Sequence, residues 1–336
     1  MKMKGRDLVS RLMAPALGVV LAVGALPQTA PVRAHRAIGA AIKVAFVIDD
    51  GADPFYLTMK CGAQTAAKAS NVTLTWQGPA GVDFQPELQT LNAVMQRHPQ
   101  GLVLAPFDPN AFILPVQQAM KAGIPVVTVD GSLAQKVEVQ NIRTDNLAAG
   151  SLAADALAKV LGGHGKVLIV ALSPGVTANL ERATGFANQI KAKYPKITLL
   201  PIQFPGGDSN KASQDVSAAI RAHADLKGIY TTYAIASNAA ASSILATGNR
   251  GKIKLVAYDA DPTLVSQLMS GTFDALVVQN PYQEGFDSVT LVAKLVRHEV
   301  KASEVAYQSH PTSYIATRAN INAPWLQKYL YKVTCS

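Results

Sequence analysis

Asp130, Asp259 and Gln279 each stand where a short apolar run ends, Asp53 follows shortly after another, and Phe55, Tyr56 and Arg182 belong to the same polar and aromatic set. Carboxylate, amide and guanidinium groups together suit a ligand rich in hydroxyls, because every hydroxyl is both donor and acceptor. Each hydrogen bond from such a ligand to a charged group contributes roughly 1.5–3 kcal/mol. Aromatic rings cover the apolar C–H face of a sugar and help to exclude water. The chemistry this set points to is recognition of a small polyhydroxy molecule, not its conversion.

Other chemistries are poorly served. There is no Gly-x-Ser-x-Gly elbow and no Ser/His/Asp set that stands out, so no catalytic residue is assigned. The six histidines (35, 98, 164, 223, 298 and 310) are scattered, with no His-Glu-x-x-His and no Cys pair at metal spacing. Asp49, Asp50 and Asp53, or Asp259 and Asp261, offer oxygens to a cation but lack a clustered partner, and no metal is assigned. Gly162-Gly163-His164-Gly165-Lys166 has the glycines and lysine of a phosphate loop. Val167 stands where that loop needs Ser or Thr, and the glycines read as the end of a helix. No cofactor is expected.

The elements that must position the set alternate along the chain. Apolar runs rich in β-branched residues occupy 42–48, 72–76, 102–105, 124–129, 167–171, 197–203, 228–231, 253–257 and 275–278. Longer helical stretches lie between them, among them 55–70, 86–97, 147–161, 179–193, 209–223 and 282–297. Strands without polar alternation are covered on both faces, and strand–helix alternation makes parallel sheets. About nine strands exceed one ordinary doubly wound domain, so two sheets are expected. Ligands of such sheets bind beyond the carboxyl ends of the strands. One aspartate at such an end is equally well explained as the cap of the next helix. Polar residues at four strand ends, in Asp49-Asp50, Asp130, Asp259 and Gln279-Asn280, favour a cleft.

The totals narrow the partners. The net charge of +9 in 336 residues suggests nucleic acid until it is located. Lys2, Lys4, Arg6, Arg11 and Arg33 against Asp7 carry +4 of it within the first 34 residues, and the rest is spread without a basic stripe. A basic start, the apolar run Leu12–Leu26 and Val32-Arg33-Ala34 read as a signal peptide, residues 1–34, cleaved before His35. That run is too short to span a bilayer comfortably, which takes about 20 apolar residues. Cys61 and Cys335 could bridge in an oxidising compartment. Cys61 lies four residues after Leu57 in the first helix, and a buried thiol is the plainer expectation.

From Ile42 to about Asn322 the chain resembles the ribose-binding-protein type of periplasmic sugar-binding protein, the type I solute receptor of an ABC importer. The resemblance is carried by Asp53-Pro54-Phe55-Tyr56 with Lys60-x-Gly62-Ala63, Gly123 to Asp130, and Thr144-Asp145-Asn146-x-x-x-Gly150. Glu181-Arg182-x-x-Gly185-Phe186, Val256-Ala257-Tyr258-Asp259 and Gln279-Asn280-Pro281-x-x-x-Gly285 continue it. It implies two doubly wound parallel-sheet lobes joined by a three-crossing hinge: residues 35–144 with 280–308, and 145–279 with 309–336. It also implies ligand contacts from Asp53, Phe55, Tyr56, Asp130, Arg182, Asp259 and Gln279. Departures occur at Ala105, Gly131 and Gly207, where the resemblance expects Asn, Arg and Phe, and at Tyr233-Ala234 in place of an Asn-Asp pair. Long donors are lost, space opens, and Tyr233 refills part of it as an eighth ligand residue. A site built on buried polar partners rejects a ligand that leaves them unpaired, so the expected ligand is a neutral sugar or polyol other than ribose. The expected protein is a periplasmic monomer that delivers its ligand to an inner-membrane ABC permease and binds no nucleic acid. A chemotaxis or sensor-kinase receptor of the same fold is the alternative.

Overall fold

The computed structural model describes residues 40–81 and 83–335; the signal peptide assigned to residues 1–34 lies outside them. In chain order β1 (Ile42–Val47), α1 (Pro54–Ala69), β2 (Val72–Gln77), α2 (Phe84–Met95), β3 (Gly101–Leu104), α3 (Ile113–Lys121), β4 (Val126–Val129) and β5 (Gln140–Ile142) come first. They are followed by α4 (Asn146–Leu161), β6 (Gly165–Val170), α5 (Thr177–Lys193), β7 (Ile197–Leu199), α6 (Ser209–Ala222), β8 (Leu226–Thr231) and α7 (Ala234–Ala246). The chain closes with β9 (Lys254–Tyr258), α8 (Pro262–Met269), β10 (Ala275–Val278), α9 (Pro281–Val296), β11 (Gln308–Ser309), β12 (Tyr314–Ala316) and α10 (Pro324–Gln327).

The strands form two sheets of six, in the orders β11-β5-β4-β3-β1-β2 and β12-β10-β9-β8-β6-β7. Every pairing is parallel except that of β10 with the edge strand β12. Central strands β3, β4 and β10 are buried at every residue, the consequence of helices on both faces. Three short strands, β5, β11 and β12, lack the apolar runs that mark the others. They take their places from pairing, Gln308 opposite Asn141 and Ile315 opposite Val277. The chain passes between the sheets three times, after β5, after β10 and between β11 and β12.

Helix starts follow local chemistry. Asp53, Asp145, Asp208 and Asp261 accept from backbone N–H groups in the first turns of α1, α4, α6 and α8, and Pro54, Pro262 and Pro281 pre-set the entry of α1, α8 and α9. Gly162 ends α4 in the left-handed conformation, at φ 68°, so Gly162 to Lys166 is a helix terminus running into β6 rather than a phosphate loop.

Each lobe pins a helix pair through glycine. A Cβ at Gly62 on α1 would lie 1.9 Å from the Tyr282 carbonyl oxygen, and one at Gly285 on α9 would lie 2.1 Å from that of Met59. In the second lobe Gly150 and Gly185 hold α4 and α5 together in the same way, each 2.1 Å from a facing carbonyl oxygen.

The expected free thiol at Cys61 is overturned. Cys61 and Cys335 form a disulfide with 5.1 Å between their Cα atoms. The 274-residue separation hid the contact, because only the folded course of the last residues brings the chain end back to α1.

Candidate ligand-binding site

A cavity of about 220 Å³ opens between the carboxyl ends of the two sheets. That is room for one small polar molecule rather than for a single water. All eight residues named from the sequence line it: Asp53, Phe55, Tyr56, Asp130, Arg182, Tyr233, Asp259 and Gln279. Asp130, Asp259 and Gln279 directly follow β4, β9 and β10, and Phe55 and Tyr56 lie in the first turn of α1. Asp53 both caps α1, accepting from the Phe55 N–H at 2.8 Å, and faces the cavity. Capping and cleft lining are one arrangement at this position.

The two sheets present matching carboxylates. Asp130 has φ 56° and Asp259 φ 81°, left-handed conformations that cost a non-glycine residue energy and collect at functional sites. Each is held by its own N–H, which donates across the sheet to Ile142 and Val277 respectively. The Tyr56 hydroxyl donates to Asp130 Oδ2 at 2.6 Å, and the Phe55 and Tyr56 rings meet edge to face at 5.1 Å.

Behind the cavity lies a buried polar network. Arg182 donates from Nε to Asn146 Oδ1 at 2.8 Å, from Nη1 to the Thr232 carbonyl at 3.0 Å and from Nη2 to Gln279 Oε1 at 3.1 Å. Its guanidinium lies 3.9 Å over the Tyr258 ring. Gln279 turns its amide nitrogen to Asp259 Oδ1 at 2.7 Å, while its oxygen also accepts from Thr144 Oγ1 at 2.7 Å. Thr144 and Gln279 sit on two of the three crossings, so the network ties the hinge to the site. Arg143, beside Thr144, makes a forked ion pair with Glu181 on α5.

Electrostatically the cleft is acidic. Burial raises the Asp49 carboxyl well above its usual range, and the nearby Asp130 and Glu87 raise it further. Burial likewise raises Asp259, against the opposing pull of Arg182. Burial and then the Asp259 charge push Asp53 up to about 7, although this residue sits at the open mouth, where water screens part of the effect. Burial also raises Glu284 on α9. Burial alone would lower the Arg182 pKa, but the surrounding tyrosines and carboxylates more than offset it.

Several lining residues are not among the eight. Asp49 is 7% exposed and lines the cavity, with its Oδ1 unpartnered. The apolar run before it identifies a strand end, but nothing there separates a ligand group from a metal or cap group. Asn179, Pro106 and Phe107 also line the wall. Asn179 carries a usable signal, one turn before Arg182 on α5. At Ala105 the wall is formed by the residues that follow. Ala105 is fully buried at the end of β3, and its successors Pro106 and Phe107 form the wall, with the Phe107 N–H held by Glu87 Oε2 at 3.1 Å. Gly131 does face the cavity, and a Cβ there would lie 2.1 Å from the Pro106 carbonyl oxygen. With the Pro106 carbonyl in this place, no side chain, the Arg of the resemblance included, can leave the backbone at residue 131. Gly207 and Tyr233 line the opposite side, with burial pushing the Tyr233 hydroxyl up to about 12.

Two parallel-sheet lobes, three crossings and a polar cleft at the strand ends define a two-lobed solute-binding protein of type I. The chain belongs to the periplasmic binding protein domain family, whose model matches residues 44–299. It is 27% identical to the D-allose-binding periplasmic protein of Escherichia coli, over 75% of this chain and 84% of that protein. It is also 27% identical to the ribose import binding protein of Salmonella typhimurium, over 76% and 85%. Among solved structures, an ABC transporter solute-binding protein from Agrobacterium vitis bound to α-D-tagatopyranose superposes with a TM-score of 0.81 at 28% identity. The match covers 87% of this chain and 99% of that one. The family is one of binding proteins, not enzymes. Among the described residues, no helix is long and apolar enough to cross a membrane.

Proposed function

We propose that the protein is the exported receptor of an ABC importer, which captures one neutral monosaccharide or polyol in this cleft by hinge closure and presents the closed form to an inner-membrane permease. Tagatose, allose and ribose are the bound or named sugars of the relatives above. The observation that carries the reading is the cleft itself. Carboxylates from both lobes, one Arg and one Gln face a cavity of monosaccharide size beside Phe55 and Tyr56. The acidic excess does not require a cationic ligand, because Arg182 lies among the same carboxylates and opposes the burial that raises the Asp259 pKa, and the hydroxyls of a neutral ligand can donate to the carboxyl oxygens.

On this reading Asp53, Phe55, Tyr56 and Asp130 bind from a first lobe of residues 35–144 and 280–308. Arg182, Tyr233, Asp259 and Gln279 close from a second lobe of residues 145–279 and 309–336. Ligand favours closure only through contacts that improve in the closed state, and contacts from both sides of the cavity supply these. With Gly131 closed over by Pro106, ribose loses a long donor and binds weakly. The mature protein, cleaved before His35, works as a monomer in the periplasm.

A thermal-shift screen over pentoses, hexoses, polyols, sugar phosphates and dicarboxylates tests the reading, since a ligand that binds only the native state raises its melting temperature. At least one neutral sugar or polyol should give the largest shift. Stabilisation by a sugar phosphate or dicarboxylate, with none from a neutral compound, would overturn it.

A further inference from the structure

The last residues of the chain touch both lobes. After β12 the chain enters α10, where Leu326 is fully buried. The Tyr331 N–H then donates to the Ala260 carbonyl at 3.0 Å, and its hydroxyl donates to Asp259 Oδ1 at 2.9 Å. Both partners follow β9 in the second sheet. One residue later the attachment changes sides. The Lys332 N–H donates to Thr58 Oγ1 at 2.7 Å, and Thr58 Oγ1 lies 3.2 Å from the Lys332 carbonyl oxygen. Thr58 belongs to α1, as does Cys61, to which Cys335 is bonded. The Tyr331 ring also meets Phe55 of α1 edge-on at 5.7 Å.

We propose that residues 331–335 are a fourth connection between the lobes, a leash closed by the Cys61–Cys335 disulfide that limits how far the cleft opens. The length sets the limit. Cys335 lies four residue steps beyond the Tyr331 anchor, and an extended chain spans at most roughly 3.3–3.6 Å per step, about 14 Å in all. The three backbone crossings permit a hinge, but they place no such bound on α1 and the β9 end moving apart. With the disulfide intact, wide opening must first pull Tyr331 away from Asp259 and Ala260, which costs two hydrogen bonds and a buried aromatic ring. The leash therefore confines the ligand-free ensemble to shallow openings. A protein that spends a larger fraction of time near its binding-competent form loses less apparent affinity to the conformational equilibrium. A disulfide that only stapled the chain end for stability would act on the unfolded state and leave the opening unchanged.

The test uses ligand-free protein, so it succeeds or fails independently of which solute is bound. Small-angle X-ray scattering is recorded for the wild type, for the double variant Cys61→Ser/Cys335→Ser, and for a variant with Gly-Ser-Gly-Ser inserted between Val333 and Thr334. The insertion keeps the disulfide and lengthens only the leash, so it decides the matter if the serine variant folds poorly. Circular dichroism confirms folding of each. The expected result is a larger radius of gyration and maximum dimension in both variants than in the wild type. Scattering profiles of folded variants that superpose on the wild type would overturn the leash and leave the disulfide a simple staple.

Discussion

Replacing Asp259 should separate ligand recognition from scaffold stability. Its Oδ1 already accepts from Gln279 Nε2 at 2.7 Å and from the Tyr331 hydroxyl at 2.9 Å, which leaves Oδ2 for the ligand. A hydroxyl bonded to a charged acceptor is worth roughly 1.5–3 kcal/mol, so Asp259→Ala should raise Kd by about 10- to 150-fold for one such bond. The loss of partners for Tyr331 and Gln279 is present in free and bound protein alike. It therefore lowers the melting temperature, and it enters Kd only through the loosened Tyr331 anchor, which Asp259→Asn, still able to accept from Tyr331, largely keeps. The backbone supplies a control. At φ 81° alanine is strained, whereas asparagine tolerates the left-handed region. Asp259→Asn keeps the backbone and one acceptor and removes the charge, so its loss of affinity should be the smaller. Isothermal titration with the sugar that gives the largest thermal shift reads all three proteins. A Kd for Asp259→Ala within twofold of wild type would remove Asp259 from the site and refute this assignment of its two oxygens.

Gly131→Ala should destabilise the fold without creating ribose affinity, because its Cβ meets the Pro106 carbonyl oxygen at 2.1 Å; overpacking of this kind costs about 1–3 kcal/mol, readable by urea denaturation. Gly185→Ala should destabilise similarly, since its Cβ would lie 2.1 Å from the Leu147 carbonyl oxygen between α4 and α5, and an unchanged urea midpoint would contradict the close helix contact. Acid should stabilise the ligand-free protein over part of the range. Asp49, Asp259 and Glu284 have raised pKa values and Asp53 reaches about 7, so the folded state holds protons that the unfolded chain has released above its carboxylate pKa near 4. Stability from these groups is fully present below that value and is lost as pH rises through the folded values. The melting temperature should fall between pH 5 and 8, with a shallower fall in Asp49→Asn; a flat or rising curve would count against the buried carboxyls.

Sequence legibility followed the physics of each feature. Central strands such as β4 and β10 were readable because burial on both faces leaves an uninterrupted apolar run, and the cavity residues were readable because parallel sheets put their ligand at strand ends. Strands β5 and β11 were not, since pieces of two or three residues are fixed by their neighbours and not by their composition. Gly131 was located correctly, yet only the Pro106 carbonyl explains why glycine stands there. The disulfide depends on the path of the last residues between the lobes, a contact that no local pattern encodes.

The equivalence of the lobes bears on why the cleft responds to ligand. Asp130 after β4 and Asp259 after β9 are both held at positive φ at corresponding strand ends. Asp53 and Asp49 add further carboxyls on the first side, and Arg182 is the cation among the lining side chains. Bringing the lobes together without ligand moves like charges closer and strips water from them; the Asp259 charge already raises the Asp53 carboxyl. Both terms oppose closure of the empty cleft. A polyhydroxy ligand changes their sign by donating hydrogens to carboxylates of both lobes at once, so the energy that holds the cleft open when empty becomes the energy that holds it shut when filled. The leash limits the first state and the ligand selects the second, which leaves a short, well-defined path between them.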